Sequence, residues 1–136
     1  MLITYLNTDL DIESKSDISP IVEEFGEDVI VLHHGERRGY QHASFEISGS
    51  SFDADADGVI SSFCLLVEEL PKEVREIWDG CVSRVFDIGY ESGSSPQNLR
   101  SEIRPSTILR VARIGASLAI TIYPESGDFP PPEKPI

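Results

Sequence analysis

Asp53, Asp55 and Asp57 stand at alternate positions and are followed directly by Gly58. A helix–loop–helix calcium site takes oxygen ligands at loop positions 1, 3 and 5, a glycine at 6 and a bidentate glutamate at 12. Counted from Asp53, the first four requirements are met, Ser61 falls at position 9, and position 12 is Cys64. The missing glutamate would supply two oxygens of the shell, and a soft thiol does not replace them. Glu68 comes a full helical turn later, and the preceding "HASFEIS" alternates like a strand rather than like an incoming helix. The same aspartates suit a helix start, where Asp55 or Asp57 accepts backbone N–H bonds and the others face the positive end of the helix dipole. The expectation is a capped helix entry. Ca2+ is the one ion the run could recruit, and no other cofactor is expected.

The histidines are the second candidate. "GERRG" reads as a five-residue turn between two strands, which puts His34 roughly opposite Tyr40. His34, Tyr40 and His42 then share a face, while His33 joins Ala43, Phe45 and Ile47; a slip of one residue exchanges the two sets. Imidazoles on one face could bind zinc or act as a general base, but a zinc site needs three or four ligands and only two converge here. With Asp9 and Asp87 from neighbouring strands, they form the polar set that a ligand-binding or catalytic sheet face would use.

Arg104, Arg110 and Arg113 are the third. Arg110 and Arg113 are adjacent on a helix surface and could take a phosphate or carboxylate, but the chain's own acids are the expected partners. Cys64 and Cys81 lie in apolar surroundings without a basic neighbour, and are expected to act as small hydrophobes.

The elements that must position these groups follow from periodicity. "LITYLNTDLDI" alternates, with Leu2, Leu6, Leu10 and Ile12 on one face and Tyr5, Asn7, Asp9 and Asp11 on the other. "SPIVEEFG" is a short helix with Ser19 as cap, Pro20 at its first position and Gly26 at its stop. Ile60, Phe63, Cys64, Val67 and Leu70 form a helical stripe that Pro71 ends, and "KEVREIWDG" makes a second helix. "SRVFDIGYESG" alternates again, with Phe86, Ile88 and Tyr90 on one face and Val85, Asp87 and Glu91 on the other. A helix from Pro105 to Gly115 leads into a last strand whose apolar face is Leu118, Ile120 and Ile122.

Single-faced alternation argues that helices cover one side of the sheet only. The expected fold is therefore α+β: a two-layer α/β sandwich with a mixed, largely antiparallel sheet of about five strands, a ferredoxin-like variant with an added helix–strand unit. Residues 1–124 are expected to form one domain, and 125–136, rich in proline, a flexible tail.

Composition restricts function. With 24 acidic against 11 basic residues, the net charge is −13 and the pI about 4.4. Residues 1–28 hold eight acids against Lys15, whereas 97–116 hold four arginines against Glu102. Such a chain repels nucleic acid and anionic membranes. No apolar run approaches the ~20 residues of a membrane span, and the N-terminus lacks the basic start of a secretory signal, so a cytoplasmic location is expected. Phosphate-binding glycine loops, dinucleotide fingerprints, nucleophile elbows and paired Cys-x-x-Cys motifs are absent. The expected function is a small acidic protein-interaction domain without catalysis, inhibitor- or immunity-like, working on a protein partner or through self-association. The alternative is a small enzyme or ligand binder using the open sheet face.

Overall fold

The computed structural model describes residues 2–49, 54–94 and 97–125; Asp53 and the expected tail beyond Glu125 lie outside the described residues. The chain runs β1 (Thr4–Ser14), α1 (Ser19–Phe25), a 3-10 turn (Gly26–Asp28), β2 (Val29–Arg37), β3 (Tyr40–Ile47), α2 (Ala56–Glu68), α3 (Lys72–Asp79), β4 (Ser83–Glu91), α4 (Pro105–Arg113) and β5 (Ser117–Tyr123). The strands form one sheet in the order β2-β3-β1-β4-β5. Only β4 and β5 are parallel. Strands β1 to β4, with α1 and the α2–α3 pair as crossovers, make the β-α-β-β-α-β arrangement of a ferredoxin-like sandwich. The α4–β5 unit is the addition.

Among the described residues, all four helices lie on one face of the sheet. The stripe read from α2 is the centre of the core: Ile60, Phe63, Cys64 and Val67 are fully buried against Leu10, Ile12, Phe45 and Phe86. Phe25 of α1 meets Phe45 edge-on at 5.3 Å between ring centres, a geometry contributing about 0.5–1.5 kcal/mol beyond its burial.

Two local features depart from the pattern. Ser19 does not cap α1; the Asp17 carboxylate accepts from its backbone N–H at 2.9 Å and its hydroxyl at 2.6 Å. These bonds hold the Asp17 carboxyl below the usual range. In β1, a bulge between Tyr5 and Asn7 shifts the register with β4. Because side chains alternate with a period of two, one extra residue turns everything before it over. Tyr5 therefore faces the helices, 5.8 Å from Tyr90 and bonded to Thr8 Oγ1 at 2.7 Å. Leu6 becomes exposed, and Leu2 is exposed as well.

Arg84 joins the added unit to the rest. Its Nε donates to Gly115 O at 2.8 Å, and its Nη1 to the carbonyls of Trp78 (3.0 Å), Asp79 (3.3 Å) and Cys81 (2.8 Å). Those carbonyls belong to the C-terminal ends of α3 and α4, where helices leave acceptors unpaired and partial negative charge accumulates. Fully buried Trp78 adds an Nε1–H bond to Ile114 O at 2.8 Å.

Candidate functional site: the open sheet face

The face opposite the helices carries the alternate residues of each strand. The hairpin that positions the histidines has a two-residue turn, not five residues. Arg38 and Gly39 both have positive φ, 54° and 85°, the conformation of a type I′ turn that matches strand twist. Arg37 therefore pairs with Tyr40, and Gly35 with His42. That register runs unbroken to His33, which pairs with Ser44 and stands beside His42 on the open face, while His34 pairs with Ala43 on the helix side; a bulge beyond it, between Val31 and His33, returns Val31 to the helix side opposite Phe45. The expected set of His34, Tyr40 and His42 is thus rearranged: Tyr40 and His42 share the open face with His33, and His34 does not.

His42 is almost completely buried, although its face is open, because its neighbours surround it. Its Nδ1 lies 2.7 Å from Nδ1 of His33, and its Nε2 lies 3.1 Å from Arg37 Nη1 and 3.7 Å from Asp11 Oδ1. A guanidinium can only donate. His42 Nε2 must then accept, so its proton sits on Nδ1 and is donated to His33, whose own proton sits on Nε2. Desolvation pushes the His42 imidazolium pKa down, and Arg37 and His33 push the same way; Asp11 and Glu13 oppose them. Neutral His42 is therefore built into the bond chain. Protonation at Nε2 would replace the Arg37 bond with a pairing to Asp11.

Asp9 and Asp87 form a separate group. They stand directly opposite each other on β1 and β4, and Asp87 Oδ1 accepts from Thr121 Oγ1 at 2.7 Å. His42 engages Asp11, Arg37 and His33 instead. The two halves of the expected polar set thus lie on the same face without forming one constellation. By register six carboxylates within its described strands lie on this face, Asp11, Glu13, Glu46, Asp87 and Glu91 partly exposed and Asp9 buried, against the single guanidinium of Arg37.

The aspartate run has other duties. Asp55 caps α2 by accepting from Gly58 N at 2.8 Å. Asp57 reaches across to Arg104, accepting from its backbone N–H at 2.9 Å. Cys64, at the position where a calcium loop needs its glutamate, is buried in the core, and burial pushes its thiol up to about 11. Among the described residues there is no group of three or more His, Cys, Asp or Glu side chains that could hold a metal ion. On α4, Arg110 pairs in bidentate fashion with Glu68 (2.9 and 2.7 Å) and donates to Ser61 Oγ at 2.7 Å.

Helix cover of one sheet side implies a buried apolar face on β5, but Leu118, Ile120 and Ile122 are exposed. A hollow of about 410 Å3 lies beside them, lined by Ile3, Tyr90, Ser92, Leu99, Ser101, Ile120 and Ile122. The available signal was the absence of any charge in "SLAITIY". Among the described residues no helix is long and apolar enough to cross a membrane.

The fold and face define an α+β sandwich with one helix-covered side and one acidic, open side. Comparison with protein-family models, curated proteins and solved structures finds no match.

Proposed function

We propose that this protein is a non-catalytic interaction domain whose open sheet face binds a cationic protein partner, in the manner of an inhibitor or immunity protein. The observation carrying this reading is the charge of that face: six carboxylates and one guanidinium on strands held rigid by the core behind them. A fixed array of one sign focuses potential outward and raises the encounter rate with an oppositely charged surface. A cytoplasmic setting belongs to the same proposal, in keeping with two buried cysteines that remain free thiols.

The test compares two variants of equal charge change. One reverses Asp11, Glu13 and Glu46 on the open face; the other reverses Glu23, Glu24 and Glu27 on and beside α1. Each is used with the wild type in affinity capture from source lysate across a salt series. The reading requires a specific partner that wild type and the α1 variant retain and the face variant loses. Equal loss from both variants would mean net charge alone is responsible, and the reading would fail.

A further inference from the structure

The two edges of the sheet are built differently. On β2, a bulge falls between Val31 and His33, and Glu36 and Arg37 stand within the strand. Bulges and charges are the devices that keep an edge from pairing with another chain. Strand β5 has neither: its seven residues, SLAITIY, carry no charge and no proline, and its ladder with β4 is unbroken. On a chain of net charge −13 this is an uncharged strip along an edge that no other described strand pairs with.

The strip is also apolar on one side. Leu118, Ile120 and Ile122 are 40%, 67% and 65% exposed, because α4 packs inward against α2 and, among the described residues, no helix covers the last strand. Ile108, 48% exposed, lies two residues from Arg110 on α4. At 100° per residue that places it on the flank turned away from α2, a further exposed apolar side chain on the added unit.

The pattern is self-complementary about Ile120, the middle residue: Leu118 mirrors Ile122, and Ala119 mirrors Thr121. A two-fold interface requires a patch that matches itself. We propose that β5 is the seam of a homodimer in which two copies pair this strand antiparallel about Ile120, fusing their sheets into one. In that register Ile120 lies against its own counterpart, and Leu118 against the partner's Ile122. About six backbone hydrogen bonds form across the seam, and both apolar shelves come together on the helix side. The axis stands perpendicular to the sheet, so the two acidic faces remain together on the opposite side. A second copy is the occupant because the strip matches itself and carries none of the acids that repel a like chain from most of the surface, whereas a cationic protein is drawn to the acidic face.

Analytical ultracentrifugation of the full chain from micromolar to millimolar concentration tests the proposal. A monomer–dimer equilibrium with no larger species is expected. Ile120→Lys should weaken it roughly a hundredfold, since it removes two apolar side chains from the seam and places two like charges opposite each other, with an unchanged far-UV spectrum because the side chain is exposed. Ile120→Cys should cross-link to a covalent dimer on oxidation, and Leu118→Cys alone should not; Cys64 and Cys81 are buried and give no background. A wild type that stays monomeric at millimolar concentration would overturn the proposal. Unaltered dimerisation of Ile120→Lys, or equal cross-linking by Leu118→Cys, would overturn it as well. The cross-linking pair decides the register even if the lysine variant misfolds.

Discussion

Replacing Arg84 with alanine should destabilise the protein by about 2–4 kcal/mol. The side chain makes two part-buried bonds, to the carbonyls of Trp78 and Cys81, and two exposed ones, to those of Asp79 and Gly115. A bond from a charged donor contributes about 1.5–3 kcal/mol when its acceptor would otherwise be left buried, and much less where water replaces it. Both part-buried bonds leave the same nitrogen, so the pair together is taken at about 1.5 kcal/mol; adding the loss of a cation from two helix C-termini at about 0.3–1 kcal/mol each gives the stated range. For a chain of this size the midpoint of thermal unfolding should fall by roughly 6–12 °C. Urea unfolding is the assay, followed by the fluorescence of Trp78, the only tryptophan and one fully buried beside Arg84's acceptors. Arg84→Lys keeps the charge but not the planar fork, and should recover less than half of the loss. A destabilisation below about 0.5 kcal/mol for Arg84→Ala would refute the assignment, since that is the range of an ordinary surface substitution. Full recovery by lysine would show that charge alone matters.

Three further outcomes are expected. The His42 pKa is depressed in the folded state, so the unfolded chain binds more protons there; stability should be fully present above the unfolded value of about 6.5 and lost as pH falls through it toward the folded value. Urea melts across that window should show the loss in the wild type and a flatter profile in His42→Gln. Asp55→Ala should cost about 1 kcal/mol through the lost helix cap, and millimolar calcium should not shift the wild-type melting temperature; a calcium shift abolished in Asp57→Asn would contradict the reading of the aspartates. With its thiol pushed up to about 11 and no exposure to solvent, Cys64 should resist a thiol reagent in the folded protein and react promptly in denaturant.

The elements were legible where one periodicity governs a whole segment. The α2 stripe of Ile60, Phe63, Cys64 and Val67 is buried as its spacing requires, and the alternation of β4 assigns Phe86 and Asp87 to opposite faces correctly. Periodicity has no sign for a bulge, so the reversal of Tyr5 and Leu6 could not be read; the exchange of His33 for His34 follows instead from the length of the turn. The turn was obscured in the same way, because Arg38 adopts a positive φ that its residue type does not announce. Alternation also says which face a side chain takes and not whether anything covers it. Ile120 faces the helix side as expected, yet α4 stops short of it. Arg84 was invisible because its acceptor at Gly115 lies 31 residues away and is a backbone atom, which has no residue type to read.

The claim that the open face is the binding surface can be measured directly by amide chemical-shift mapping during titration with a lysine-rich peptide, a defined cationic probe. Shifts are predicted to concentrate on Asp9 to Glu13 of β1, Glu46 of β3 and Asp87 of β4, and to leave Glu23, Glu24 and Glu27 unmoved. Shifts centred on α1, or spread evenly over every exposed acid, would contradict the account.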